Sequence, residues 1–248
     1  MIFVVPMAGR NRRFTEAGYK TPKFLLQAHG KSCLEWSVDS LPLLKDDQLV
    51  FIGLREHEDG FQLETWLRGR YAEQRLAFAW LDSVTGGQSE TVMKARHLID
   101  AEDCMAIFNI DTAFTSRNLR SKMEEDWDGV LGSFHAIENR FSFAKIDGSG
   151  LVLEVKEKVA ISNHALTGFY SFRKSKHFFE QADCAIKNNS REAGEFYVAP
   201  LYNKLIENGR RFTIDPVESC HILGTPEEYE AFRTRDFKKP SSSEIQVP

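Results

Sequence analysis

Short apolar runs alternate with helix-like segments through the first 111 residues, and this alternation constrains the fold more than any other feature of the sequence. Four runs have the length and composition of buried strands, and they cover residues 2–6, 49–54, 76–81 and 104–110. Three helices are predicted between them. One begins after Ser32, which is a good N-cap residue, the second covers residues 61–71, and the third follows the glycine-rich turn TGGQSE. This order predicts an α/β fold with a mixed, mostly parallel sheet flanked by helices.

The second half of the chain has a different pattern, in which strand-like runs follow one another with only turns between them. These runs cover residues 129–135, 141–146, 151–156 and 166–172, and helices are predicted over 174–188, 195–208 and 226–235. No internal repeat or low-complexity linker divides the chain. We therefore predict one domain over residues 1–237 and a flexible, polar tail over 238–248.

The charge balance argues against broad nucleic-acid binding. Lys and Arg number 32 against 36 Asp and Glu, a net charge of -4, so there is no global basic field. The first apolar run has no basic region before it and is too short to span a bilayer, so we expect a cytoplasmic protein without membrane contact. The four cysteines are far apart, which favours reduced thiols. No pattern predicts the oligomeric state.

The loop after the first strand, PMAGRNRRF, has the composition of a phosphate-binding loop. Gly9 allows a tight turn whose N–H groups can face an anion, and Arg10, Arg12 and Arg13 add fork-shaped donors suited to phosphate oxygens. The loop has neither a Walker A lysine pattern nor a full GxGxxG. A basic, solvated turn therefore stays open as the alternative.

Two charged residues elsewhere in the first half are candidates for a site at the same edge of the sheet. Pro22 stiffens the backbone before Lys23, and the apolar FLL that follows favours a directed ammonium rather than a surface lysine such as Lys20. Asp111 ends the fourth strand, where a carboxylate together with substrate phosphates can hold Mg²⁺. An ordinary strand-end aspartate is the alternative.

Taken in order, VVPMAGRNRRF, TPKFLL, GGQSETV and FNID resemble the sugar-nucleotidyltransferase family, of the bacterial capsule and surface-polysaccharide type. The likeness continues through FSFAKIDGSGLVLEVKEK, TGFYSF and GTPEEYEAF, and so covers nearly the whole chain. Gly9, Arg13, Pro22 and Lys23 match the family's opening motif position by position. The resemblance implies a Rossmann-like, GT-A-type nucleotidyltransferase fold. Residues 1–115 would then be mainly the nucleotide-binding half and 116–237 mainly the acceptor-binding half.

The resemblance also implies roles for particular residues. Arg13 and Lys23 would be catalytic, holding the triphosphate and stabilising charge at the α-phosphate, and Asp111 would ligate Mg²⁺. The implied nucleotide-binding residues are Met7, Ala8, Gly9, Arg10, Asn11, Gly87, Gln88 and Asn109. The implied acceptor-binding residues are Glu157, Lys158 and Gly168, the glycine leaving room for substrate.

Glu195 is a further acceptor-binding candidate, argued from its position after Gly194 at the start of a predicted helix. It would contact a cationic or hydroxylated substrate. A first-turn glutamate favoured by the helix dipole is an equal alternative.

Two positions depart from the family pattern. Asn11 stands where many relatives have a second glycine, and asparagine tolerates left-handed backbone geometry. Ile222 stands where relatives often have a second metal-binding aspartate, two residues before Gly224. Compensation by another carboxylate or imidazole is one interpretation, with the candidates Asp215, Glu218 and His221. A single protein carboxylate plus phosphates is the other.

The predicted reaction is attack of an acceptor phosphate on the α-phosphorus of a nucleoside triphosphate, with release of pyrophosphate. Gln88 beside a glycine favours a pyrimidine, so CTP, UTP and dTTP stay open, as do a sugar 1-phosphate and other phosphorylated alcohols as acceptor. Two alternatives remain. A metal-dependent GT-A glycosyltransferase shares this fold, although Asn109-Ile110-Asp111 lacks the first carboxylate of the usual Asp-x-Asp. A catalytically silent nucleotide-binding subunit would explain Ile222.

Overall fold

In the computed structural model, which describes residues 1–237, a nine-stranded mixed sheet separates two layers of helices. The predicted tail, 238–248, lies outside the described residues. The strands of residues 1–237 are β1 (Ile2–Pro6), β2 (Gln27–Ala28), β3 (Lys31–Ser32), β4 (Gln48–Leu54), β5 (Arg75–Leu81), β6 (Met105–Phe108), β7 (Thr112–Thr115), β8 (Gly129–His135), β9 (Ser142–Ile146), β10 (Val152–Glu157), β11 (His164–Phe172), β12 (Phe212–Pro216) and β13 (Ser219–Ile222).

The helices of the same residues are short, except for α7. They are α1 (Arg12–Glu16), α2 (Cys33–Val38), α3 (Arg55–Phe61), α4 (Leu63–Arg70), α5 (Gln88–Met93), α6 (Leu119–Glu124), α7 (Ser175–Lys187), α8 (Leu201–Glu207) and α9 (Pro226–Arg233). Two 3₁₀ turns, Lys23–Leu25 and Arg96–Leu98, complete the order. No helix within residues 1–237 is both long enough and apolar enough to cross a membrane.

The order of the main path through the sheet is β10-β9-β11-β6-β1-β4-β5, with β8 pairing to β11 and β12. Strands β6, β1, β4 and β5 are parallel neighbours, and β11 joins them antiparallel to β6. The remaining pairs around β11 are antiparallel, while β12 lies parallel to β8. The predicted mixed sheet with a parallel first half is confirmed.

Helices cover both faces of the central strands, which explains why these strands are apolar runs rather than alternating ones. On one face of β1, Val4 packs into a core with α5, α7 and α8. On the opposite face, Phe3 and Val5 pack with α2, α4 and α6. These three side chains are fully buried. Both faces of β1 are therefore fixed, and the loop that follows it leaves the sheet at a defined edge.

Two helix predictions are wrong in their bounds. The helix predicted over 61–71 is α4, Leu63–Arg70. A second helix, α3, precedes it and was not predicted, and Gln62 separates the two by adopting a left-handed conformation (φ 50°). The helix predicted over 195–208 begins only at Leu201, after Pro200. Glu195 instead pairs through its backbone with Glu192 across a tight turn, so it is not a first-turn residue of a helix.

Candidate functional site

The carboxyl ends of two adjacent parallel strands, β1 and β6, bring together two of the predicted site segments. These strands pair in register, Val4 opposite Ile107, so the loops that follow them leave the same edge of the sheet. One loop is 7–11 and the other is 109–111. In open α/β sheets this edge, at the carboxyl ends of the strands, is where ligands bind.

The loop after β1 is anchored at one end and open at the other. Met7 and Ala8 are buried, and the Met7 N–H donates to the Ile52 carbonyl at 2.8 Å, whereas Gly9 and Arg10 are exposed. Asn11 is left-handed (φ 55°) and precedes α1, as its tolerance for this geometry predicts. A loop held at Met7 with exposed N–H groups beyond it can approach an anion without rearranging the sheet.

The arginines of this loop differ in their partners. Arg12 donates to Glu16 one turn along α1 at 2.6 Å. Within residues 1–237, the side chains of Arg10 and Arg13 make no hydrogen bond or ion pair, and both residues are exposed. These two guanidinium groups are therefore available to an incoming anion, and the second belongs to the predicted catalytic pair.

Lys23 and Asp111, 88 residues apart in sequence, form an ion pair of 3.2 Å between Nζ and Oδ2. Pro22 places Lys23 at the start of a 3₁₀ turn whose next residue, Phe24, is buried. The Lys23 side chain is 20% exposed and that of Asp111 is 35% exposed. The predicted catalytic cation and the predicted metal ligand thus share one partly buried corner of the site.

The glycine-rich turn before α5 is closed by a segment from the second half of the chain. The Phe196 N–H donates to the Gly86 carbonyl at 3.0 Å, and the Ser89 N–H donates to the Phe196 carbonyl at 2.9 Å. Gly87 has φ +149°, and a Cβ there would overlap the Phe196 backbone. Glycine at 87 is therefore required for the close approach of these two backbones.

Gln88, Asn109 and Gly168 meet at one point. The Gln88 Nε2 donates to the Asn109 Oδ1. Gly168 has φ +88°, and a Cβ there would lie 2.5 Å from Asn109 Nδ2. The space above Gly168, which the resemblance gives to substrate, is filled in this structure by the Asn109 amide.

The predicted acceptor residues Glu157 and Lys158 lie at the end of β10. Glu157 is buried and accepts a hydrogen bond from the Ser142 hydroxyl, and its burial raises the pKa of its carboxyl. Lys158, left-handed at φ 54°, donates from Nζ to the Tyr197 hydroxyl at 2.5 Å. Burial alone would lower the pKa of Lys158, but that hydrogen bond and the nearby charges of Glu157 and Glu195 raise it overall.

Two residues of this region were missed by sequence reasoning. Tyr197 contacts Lys158 both through its hydroxyl and through its ring, whose centroid is 4.6 Å from Nζ. Glu228, on α9, forms an ion pair with Arg140. The sequence signal for Tyr197 was its neighbour Glu195. Glu228 gave none, because Thr-Pro-Glu-Glu is an ordinary helix start.

The three residues suggested as replacements for the missing aspartate have other partners. Asp215 accepts from the Ser116 hydroxyl at 2.5 Å and lies 3.4 Å from the Lys122 ammonium. Glu218 accepts from a backbone N–H, that of Arg117, at 3.3 Å, and His221 contacts Arg235. Among residues 1–237, no group of three or more His, Cys, Asp or Glu side chains is arranged to hold a metal ion. A cation would therefore depend on fewer protein ligands plus substrate oxygens.

A separate cavity of about 450 Å³ lies between α2, β7, β13 and residues 235–237. Trp36, Phe114 and His221 are among its lining residues. Apart from His221, suggested above as a replacement metal ligand, no predicted site residue lines it. The candidate site itself is an open corner at the sheet edge.

Comparison with solved structures shows the same architecture in known enzymes. A nucleoside-diphosphate-sugar pyrophosphorylase from Vibrio cholerae RC9 is 30% identical, with a TM-score of 0.84 over 95% of this chain and 100% of the other. An inositol-1-phosphate CTP transferase from T. maritima is 14% identical, with a TM-score of 0.71 over 92% of this chain and 90% of the other. A UDP-glucose pyrophosphorylase from Acinetobacter baumanii is also 14% identical, with a TM-score of 0.71 over 93% of this chain and 91% of the other.

The two likenesses at 14% identity show a shared fold, and the likeness at 30% identity extends over the whole Vibrio protein. The nucleotidyltransferase fold predicted from the sequence is confirmed. No protein-family model and no curated protein sequence matches the chain.

Proposed function

The chain belongs to the nucleotide-sugar pyrophosphorylase family of nucleotidyltransferases, and from this premise we propose that it transfers a nucleoside monophosphate from CTP, UTP or dTTP to a phosphorylated acceptor, with release of pyrophosphate. The acceptor we propose is a sugar 1-phosphate or a similar phosphorylated alcohol. We place the reaction in the cytoplasm and its product in the assembly of a surface or capsule polysaccharide.

The observation that carries the proposal is the placement of Lys23 and Asp111, 3.2 Å apart, at the edge of the sheet where the loop after β1 leaves. The side chains of Arg10 and Arg13 in that loop are exposed and have no partner within residues 1–237. A phosphate attacking a triphosphate brings two anions together. Three cationic groups at one edge offset that repulsion, and positioning plus charge stabilisation is what phosphoryl transfer chiefly requires.

In the proposed reaction, an oxygen of the acceptor phosphate forms a bond to the α-phosphorus while the bond from that phosphorus to the bridging oxygen breaks. The electron pair of the broken bond leaves with pyrophosphate. Arg13 and Lys23 bind the phosphates and stabilise the charge that develops in the transition state. No covalent enzyme intermediate is needed.

The nucleotide would occupy the first half of the chain. Loop residues 7–11 would face the triphosphate. The base would lie beside Gly87 and Gln88, whose amide is already oriented by Asn109. Side-chain amides have both donors and acceptors, which suits the edge of a pyrimidine.

Asp111 fits a role as ligand for Mg²⁺, because it offers a carboxylate oxygen at a strand end beside Lys23 and is one-third exposed. Mg²⁺ bound there would neutralise part of the charge of the triphosphate and of the leaving pyrophosphate. Lys23 would then exchange Asp111 for a phosphate oxygen, so the ion pair holds both groups in place before substrate arrives.

The acceptor would occupy the second half. Glu157, when ionised, accepts hydrogen bonds from substrate hydroxyls, and Lys158 approaches the substrate phosphate, with Tyr197 holding its ammonium. Glu195 is exposed near this pair and would contact the same substrate.

Pyrophosphate release measured with Mg²⁺, for each nucleoside triphosphate against a panel of sugar 1-phosphates and phosphorylated alcohols, tests the proposal. We expect release in one pairing, with kcat lowered about 100- to 1,000-fold in Lys23→Ala, the loss typical of removing one transition-state donor. Lys20→Ala, which removes an exposed lysine three residues away, is the matched control and should leave kcat unchanged.

Two other outcomes would identify the alternatives. Consumption of a nucleotide sugar without pyrophosphate release would indicate a glycosyltransferase. Nucleotide binding without turnover in any pairing would indicate a silent nucleotide-binding subunit.

A further inference from the structure

Three side chains meet over Gly224, the residue between β13 and α9 that has no side chain of its own. A Cβ at Gly224 would lie 3.4 Å from Glu228 Oε2, 3.7 Å from Asp111 Oδ2 and 3.8 Å from Ile222 Cγ2. Two carboxylate oxygens from separate elements therefore border the same small space. The Leu223 N–H donates to the Asp111 carbonyl at 2.6 Å, which fixes this turn against the loop after β6.

The Glu228 carboxylate is only half satisfied. Its Oε1 accepts from the Arg140 guanidinium, but its Oε2 is buried and has no hydrogen-bond partner within residues 1–237. A carboxylate oxygen withdrawn from water without a partner is costly, so native proteins rarely retain one without a reason. Because Glu228 Oε2 and Asp111 Oδ2 border the same space over Gly224, a cation there is the partner that would satisfy both.

The local sequence predicts a different contact for the Glu228 side chain, namely the N-cap of α9. Thr225 caps α9 by accepting from the Glu228 N–H at 3.3 Å, and in a capping box the glutamate would return a bond to the cap residue's N–H. The chain does this at α2, where the Ser32 N–H donates to Glu35 Oε2 at 2.7 Å. At α9 the return bond is absent from the described residues, and Glu228 Oε2 lies instead beside Gly224, at the space that Asp111 Oδ2 also borders.

We propose that Glu228 supplies the second carboxylate for the divalent cation of Asp111, in place of the strand-borne aspartate that Ile222 has replaced. This inference rests on the proposed function and names a ligand for the same site. Oxygen donors from two carboxylates, with substrate phosphates completing the set, are the ligands that Mg²⁺ takes in proteins. The ligand has moved from the end of β13 to the first turn of α9, six positions later in the sequence.

The charges around Gly224 fit this role. Asp111 and Glu228 are each paired with one cation, Lys23 and Arg140 respectively. The two carboxylates are therefore held in place without a metal ion, and the two cations remain beside them when a metal–triphosphate complex arrives.

Mn²⁺ binding followed by the loss of the free-ion electron paramagnetic resonance signal tests this directly, because the readout is the metal itself. We expect Glu228→Gln to raise the Kd for Mn²⁺ at least tenfold. Glu227→Gln removes the same charge from the adjacent, exposed residue of the same helix turn and should leave Kd unchanged. Glutamine keeps the backbone N–H that Thr225 caps, and an unchanged Tm would show that the helix is intact.

A second variant restores the carboxylate by another route. Ile222 Cγ2 borders the same space, so Ile222→Asp introduced into the Glu228→Gln protein should return the Kd for Mn²⁺ to within about threefold of the original, well inside the tenfold loss. Rescue of this kind would not follow from a merely structural role of Glu228.

The results also separate this inference from the proposed function. If Asp111→Asn weakens Mn²⁺ binding and Glu228→Gln does not, the second ligand is wrong and the proposed metal site at Asp111 stands. If neither variant weakens binding, both the inference and the metal site at Asp111 are wrong. If Glu227→Gln weakens binding as much as Glu228→Gln, the effect is one of general charge and the inference is overturned.

Discussion

Replacing Gly168 by alanine tests whether close packing against Asn109 fixes the geometry of the candidate site. Gly168 is buried in β11 with φ +88°, a conformation that residues with a Cβ rarely adopt. The added Cβ would lie 2.5 Å from Asn109 Nδ2 and 3.1 Å from Asn109 Cβ. The backbone conformation and the contact with Asn109 therefore oppose the substitution separately.

The two costs have ordinary sizes. A left-handed backbone costs a residue with a Cβ about 1–2 kcal/mol, and overpacking a filled region costs about 1–3 kcal/mol. Moving Asn109 away would also disturb the hydrogen bond that its Oδ1 accepts from Gln88. We expect Gly168→Ala to lower the free energy of unfolding by about 3 kcal/mol in all.

Urea denaturation measures the loss, and Gly209 provides the control. It has φ +79° with no heavy atom within 4 Å of a Cβ, so Gly209→Ala should cost only the backbone part, about 1 kcal/mol. Combining Gly168→Ala with Asn109→Ala removes the amide and should show a favourable coupling of about 1 kcal/mol in the double-mutant cycle. A Gly168→Ala variant as stable as Gly209→Ala, or a cycle without coupling, would refute the reasoning.

Three further predictions concern single side chains. Ser32→Ala should lower the free energy of unfolding by about 1 kcal/mol, since it removes the side-chain oxygen of a complete capping box, and urea denaturation measures this. Burial raises the pKa of Glu157, so the stability due to its neutral carboxyl is present at acid pH and is lost as the pH rises through the folded-state pKa. Glu157→Gln should therefore gain stability relative to the original protein as the pH rises above 4.5, the ordinary pKa of this group, and a pH-independent difference would contradict this. Burial raises the pKa of the Cys33 thiol to about 12, so at about pH 8 iodoacetamide should label the exposed Cys184 first, as peptide mass analysis would show.

The sequence predicts the sheet well because the central strands are marked by their burial. Strand β1 was predicted with the bounds that the structure has, Ile2–Pro6, and so was β8. A short run that is apolar at every position is typical of a strand whose two faces are both covered by helices, so it has few other interpretations. The parallel direction of the first-half strands followed from the alternation with helices, since parallel neighbours need a crossover connection.

The errors arise where local signals mislead. Gln62 breaks a helix by adopting a left-handed conformation without glycine or proline to mark it. Glu195 follows Gly194 in a pattern that resembles a helix start, but the backbone of the next residue is committed to the glycine-rich turn 86–87 through hydrogen bonds that span more than 100 residues. Long-range backbone pairing of this kind has no local sequence signal.

The juxtaposition of Lys23 and Asp111 could be predicted from the sequence, whereas the position of Glu228 beside Gly224 could not. Lys23 and Asp111 each follow a local feature, a stiffening proline or a strand end, and the shared sheet edge brings them together. Glu228 sits at a helix position where a glutamate is expected for capping alone. Only the three-dimensional structure, in which Glu228 and Asp111 both lie beside Gly224, shows that the Glu228 side chain is near the site.

In the proposed reaction, the Lys23–Asp111 ion pair would link nucleotide binding to metal binding. Each group is the other's partner in this structure, so removing one leaves the other with an unpaired charge in a partly buried corner. A metal ion without triphosphate would take Asp111 and leave Lys23 unpaired, and a triphosphate without metal would take Lys23 and leave Asp111 facing another anion. The arrangement therefore favours joint arrival of the cation and the triphosphate over arrival of either alone, and Mn²⁺ should bind more tightly in the presence of a nucleoside triphosphate than the metal–nucleotide complex alone accounts for.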